Sequence, residues 1–143
     1  MKNRKAFKIT YWITTSLLAL MMTFSAYAYL TQAEMKEGFI YLGFPDYFRV
    51  ELAIAKLLGA AILLVPVAAR IKEWAYAGFG ITFISALVAH SAMADPMAAR
   101  IGPIVALMLL FVSYFTYYKS ATGQQKPLSI HIKEGFQGKS IAS

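Results

Sequence analysis

Three stretches of this chain are long and free enough of charge to leave water altogether. Residues 9–30 and 101–118 contain no charged side chain, and residues 74–94 contain only His90 as an ionisable group. At about 1.5 Å of rise per residue, each reaches the roughly 18 residues that mark a helix crossing a hydrocarbon layer. The hydrophobic share of 59% in 143 residues also exceeds what one soluble domain needs for its core. These runs commit the chain to an all-α integral membrane fold.

The number of spans turns on residues 50–69, which are long enough only if Glu51 and Lys56 lie inside, because the uncharged part starts at Leu57. Charge placement favours counting this segment. With four spans and a cytoplasmic amino terminus, Lys2, Arg4, Lys5, Lys8, Arg70, Lys72, Lys119, Lys126, Lys133 and Lys139 all fall inside. Only Lys36, Arg49, Lys56 and Arg100 lie on or toward the other side, as the positive-inside rule requires. Glu34, Glu37, Asp46, Glu51 and Asp95 lie outside, against Glu73 and Glu134 inside. The expected architecture is therefore a four-helix bundle with four transmembrane helices in the cell inner (plasma) membrane. Both termini are cytoplasmic, and residues 31–48 and 93–100 are outside. A membrane domain over residues 1–119 precedes a polar cytoplasmic tail over 120–143, to which no fold is assigned. This asymmetry accounts for the formal charge of +7 with the lipid bilayer as partner and no nucleic acid.

The basic start, the apolar run and Ala26-Tyr27-Ala28 resemble a secretory leader with its cleavage site. The run exceeds the roughly 7–15 apolar residues of such leaders, so a retained first helix is expected, with Tyr27 and Tyr29 as interfacial anchors. The absence of cysteine excludes thiol catalysis, disulfides and cysteine-ligated clusters within the chain. His90 and His131 fall on opposite sides, which argues against bis-histidine haem. No phosphate loop, dinucleotide fingerprint or paired-histidine metal motif occurs, so no metal site and no catalytic residue is assigned.

Local signals refine the spans. Asp46 reads as an N-cap of the second helix and Pro66 lies near its end; Asp95 reads as an N-cap of the fourth, with Pro96 at its first position. Pro103 permits a bend just inside that helix. In the third span Gly78, Thr82, Ala86 and His90 recur every four residues, and Ala53, Gly59 and Ala60 give the second helix a similar small-residue surface. Such surfaces let backbones approach in lipid, within one bundle or between copies in a homo-oligomer. Arg49 and Lys56 are seven apart and share a face, whereas Glu51 and Lys56 are about 140° apart, poorly placed for a direct bridge.

The strings GFPDYF, ELAIAKLLGAAILLVP and RIKEWAYAGFGITFISALVAHSAMADP resemble the DoxX-like family of small four-helix membrane proteins, over roughly residues 8–118. The family takes its name from a membrane subunit of a thiosulfate:quinone oxidoreductase. The resemblance thus implies a four-helix bundle associated with membrane redox chemistry, and it carries over Glu51, Lys56 and His90 as a polar site. If the second and third helices pack through their small residues, these three would line an outward-facing pocket with Tyr27 or Tyr29 at its rim. A quinone carbonyl would find donors there, so the pocket could take a quinone or another small molecule, and the cofactor itself is left unassigned. The chain has no electron carrier of its own, so redox turnover would need an oxidoreductase partner subunit. The alternative is a noncatalytic membrane scaffold or accessory protein stabilising a partner, with the charges serving bundle specificity or snorkelling to the headgroups.

Overall fold

A computed structural model describes residues 2–122. Most of the polar tail, including Lys126, His131, Lys133, Glu134 and Lys139, lies outside the described residues. The described chain is all-α, with five helices: α1 (Lys2–Thr31), α2 (Ala33–Tyr41), α3 (Asp46–Leu64), α4 (Ala69–Ala92) and α5 (Met97–Thr122). Four of them close a ring, α1 against α3 and α5, and α4 against α3 and α5, while α2 packs on α3 and α1. One end of this assembly carries α2 and the α4–α5 turn. The other carries the amino terminus and the α3–α4 turn.

Each helix presents one stripe to the interior. On α1 the stripe is Tyr11, Thr15, Leu18, Ala19, Met22 and Ala26; on α3 it is Arg49, Ala53, Lys56, Gly59, Ala60 and Leu63. Steps of three and four residues hold both stripes on one face. Leu18, Met22, Leu63, Phe79, Phe83 and Leu110 make the core, while Leu20, Phe24, Ile81 and Phe111 are each more than two-thirds exposed. Large apolar side chains pointing outward in this number suit lipid as the surrounding solvent. Three helical segments, α1, α4 and residues 97–121, are long and apolar enough to cross a membrane. α3 is not among them, because Arg49, Glu51 and Lys56 interrupt it.

The interior also has a polar seam. Ser113 Oγ lies 2.6 Å from Thr15 Oγ1 and 2.8 Å from the Tyr76 hydroxyl, tying α5 to α1 and α4. All three residues are buried, so each hydroxyl is satisfied only by its neighbours.

Several local expectations change. The stretch expected outside, residues 31–48, contains the short helix α2, whose Phe39 is buried with Tyr29 at 5.0 Å and Phe44 at 6.1 Å, ring centre to ring centre. Gly43 adopts φ 81° just after this helix, with Gly43 N–H donating to Ile40 C=O and Phe44 N–H to Phe39 C=O. That is the left-handed helix stop which glycine permits. Asp46 is the first residue of α3 and Pro45 occupies the cap, without a side-chain capping bond. α3 ends at Leu64, sooner than expected, because Pro66 has no N–H for the carbonyl four residues back and Val67 N–H turns to Val65 C=O. Asp95 does not cap α5; it belongs to the α4–α5 corner, where its carboxylate meets His90. The seam expected on α4 is displaced as well. Tyr76, Phe79 and Phe83 form the buried face, and a side chain added at Gly78 would meet nothing within 4 Å.

Candidate functional site

At the α2 end, α1 and α3 meet through cations. Arg49 and Lys56 sit on the buried stripe of α3 because seven residues is close to two helical turns. The last carbonyls of a helix lack intrahelical donors, and Arg49 Nη1 donates to one of them, the Tyr29 C=O near the end of α1. Its Nε donates to Asp46 Oδ1 at 2.9 Å, and Lys36 approaches the other oxygen of that carboxylate at 3.9 Å. The Asp46 carboxylate is thus shared between Arg49 and Lys36, which ties α2 to the start of α3.

Lys56 lies one level deeper and is 5% exposed. Its Nζ donates to Ser25 Oγ at 2.8 Å and stands 3.6 Å from the centre of the Tyr29 ring. Among the described residues it meets no carboxylate. A cation over an aromatic face gains most where water is excluded, so this contact joins α3 to α1 in addition to serving the charge.

The remaining expected site residues are distributed differently. Glu51 is exposed and has no hydrogen-bond or ion-pair partner among the described residues; five positions from Lys56, it lies off the buried stripe. Tyr27 is 62% exposed, about 200° around α1 from Tyr29. His90 is half-buried and its Nδ1 lies 2.7 Å from Asp95 Oδ2, while Arg100 Nη2 donates to Asp95 C=O at 2.9 Å. The structure thus brings Lys56 and Tyr29 together. It gives His90 a partner in its own corner and leaves Glu51 and Tyr27 facing outward.

Ser25 was missed by sequence reasoning; its place one turn before Tyr29 on α1 is the only signal of it. Also missed was the buried role of Lys72, which reads in sequence only as one of the bases that fall inside. Lys72 Nζ donates to Tyr11 Oη at 3.0 Å and to Leu63 C=O at 3.2 Å. Leu63 is the residue whose carbonyl Val67 would have served had Pro66 not broken the helix. A proline just past an apolar run, followed six residues later by lysine, was the available clue.

A shallow apolar groove of about 400 Å3 runs along α4 at the α2 end, lined by Leu42, Phe44, Ile84, Ser85, Val88, Ala89, Ala92 and Met93. None of Glu51, Lys56, His90, Tyr27 and Tyr29 lines it. Among the described residues no group of acids and histidines is arranged to hold a metal ion.

A model of the DoxX-like family matches residues 13–113, most of the chain. The chain belongs to the DoxX-like family. The match covers α2, α3 and α4 and the greater part of α1 and α5, and with the apolar helices it marks a membrane protein. No curated protein and no solved structure matches this member of the DoxX-like family.

Proposed function

We propose that this DoxX-like protein is a noncatalytic accessory subunit whose four-span bundle stabilises a partner in the cell inner (plasma) membrane. Both termini face the cytoplasm. The observation that carries the reading is the occupation of the polar groups of α3. Arg49 and Lys56 are engaged by α1, Asp46 is paired with Arg49 and Lys36, and Glu51 is the charged group of α3 that faces outward without a partner among the described residues, beside apolar neighbours such as Ile54 and Leu58. An outward carboxylate near the end of a membrane helix is a handle for a cation on another protein. α3 serves as the fourth span: its nineteen residues measure about 28 Å, close to the hydrocarbon thickness, and its two buried bases are shielded by α1.

A second reading is a quinone- or small-molecule-binding subunit of a membrane oxidoreductase. Two separate observations support it: the apolar groove beside α4, and, outside that groove, Lys56, an ammonium without a carboxylate among the described residues. The test is purification from the native membrane, followed by identification of bound proteins and extraction of quinone. The accessory reading expects a stoichiometric partner, weakened by Glu51→Gln and retained in Glu51→Asp, with no quinone retained. A retained quinone that disappears in a folded Lys56→Met variant overturns it in favour of the second reading.

A further inference from the structure

The amino-terminal end of the bundle holds a cleft of about 460 Å3 with no part in the reading above. Its walls come from the first turns of α1, the start of α4 and the last turns of α5, and its charges are Arg4, Lys8, Lys72 and Lys119. Among the described residues none of these bases is paired with a carboxylate. Lys72 is 7% exposed and spends two of its three protons on the neutral oxygens of Tyr11 and Leu63. Ser120 Oγ, in the same wall, is buried without a hydrogen-bond partner. The amino ends of α1 and α4 and the carboxyl ends of α3 and α5 all lie at this end, so the helix dipoles largely cancel and the positive potential comes from the bases themselves.

We infer that this cleft binds the phosphate of one anionic phospholipid. Phosphate oxygens accept from the free lysine and arginine donors and from Ser120, while a volume of this order holds a glycerophosphate headgroup. A free phosphate would use the same donors. The lipid is distinguished by the walls: Phe7 and Trp12 border the cleft, and the outward faces of Ile9 and Ile13 continue from it along α1. Aromatic rings at this level suit the headgroup layer, and basic pockets between spanning helices suit anionic lipids.

The full chain is titrated in detergent micelles with phosphatidylglycerol, phosphatidylcholine or inorganic phosphate, and bound molecules are counted by native mass spectrometry. One phosphatidylglycerol is expected, held at least about tenfold tighter than phosphatidylcholine. Lys8→Gln with Lys119→Gln, both exposed positions, should weaken it by about ten- to thirtyfold. Lys2→Gln with Lys5→Gln removes the same charge from the same end but off the cleft, and should weaken it by less than about threefold. Equal losses in the two pairs, with helicity unchanged, would overturn the site in favour of diffuse attraction. Displacement of the lipid by equimolar inorganic phosphate would overturn the lipid assignment and leave a soluble-anion site.

Discussion

Gly59 of α3 faces the Phe79 ring of α4, and adding one methyl group there tests the packing. A Cβ built on Gly59 would lie 2.5 Å from Phe79 Cζ, 2.9 Å from Cε2 and 3.2 Å from Cε1. Carbon atoms pack best at about 3.5–4.0 Å, so the ring would have to withdraw by about 1 Å. It has little room to do so. Phe79 and Phe83 are both 4% exposed and stack with planes 4° apart and centres 5.9 Å apart. Overpacking of this kind costs about 1–3 kcal/mol, and a pinned ring meeting the methyl at three atoms belongs near the top of that range. Alanine returns about 1 kcal/mol through helix propensity. The expected result for Gly59→Ala is a net loss of about 1–2 kcal/mol. Unfolding in mixed micelles, followed by helical circular dichroism, measures it. Gly78→Ala, where the methyl meets nothing within 4 Å, should be neutral or stabilising by up to about 1 kcal/mol. Phe79→Leu should recover part of the Gly59→Ala loss when the two are combined. A Gly59→Ala protein as stable as the unmodified chain would refute the close approach of α3 and α4.

Ala94 holds φ 55° after α4, where its N–H donates to Ser91 C=O, so Ala94→Gly should stabilise by about 1 kcal/mol in the same assay. Ser113→Ala leaves the Thr15 and Tyr76 hydroxyls without the oxygen they share and should cost about 1–3 kcal/mol. Glu51→Gln and Lys56→Met should add within about 0.5 kcal/mol in a double-mutant cycle, because the two side chains do not meet; larger coupling would place them in one network. With no native cysteine to interfere, single cysteines at Lys36 and Arg70 should react with an impermeant thiol reagent from opposite sides; labelling from one side would remove α3 as a span.

The apolar runs made α1, α4 and α5 legible, because a spanning helix needs only length and the absence of charge. The face shared by Arg49 and Lys56 was equally readable, since a seven-residue spacing returns to one azimuth whatever the partner. The direction of that face was not. A small-residue stripe on α4 suggested packing through Gly78 and Ala86, yet the neighbours accept Tyr76, Phe79 and Phe83, with Gly59 supplying the space. Helix spacing gives candidate faces, and tertiary volume chooses among them. His90 illustrates the other limit: its spacing placed it in line with Gly78 and Ala86 on α4, whereas the tight turn after Met93 brings Asp95 back to it.

The charges of this chain become intelligible when set against the places where its helices stop. In lipid a carbonyl at a helix end cannot turn to water, so a break inside or near the apolar layer requires a donor from elsewhere. The ends of α2 and α4 solve this with their own backbone, through the turns at Gly43 and Ala94. The end of α1 receives Arg49 at the Tyr29 carbonyl, and the end of α3, broken by Pro66, receives Lys72 at the Leu63 carbonyl. Each base comes from a different helix from the one it serves, so each also joins two elements of the ring. A cation suits a helix carboxyl end twice over, as hydrogen-bond donor and as counterpart to the dipole. Lys56 reinforces the first of these corners through Ser25 and Tyr29. Architecture therefore accounts for both bases of α3 and, through Arg49, for Asp46. It does not account for Glu51, which faces outward and carries no such contact among the described residues. For that reason the search for a partner of this protein starts at Glu51.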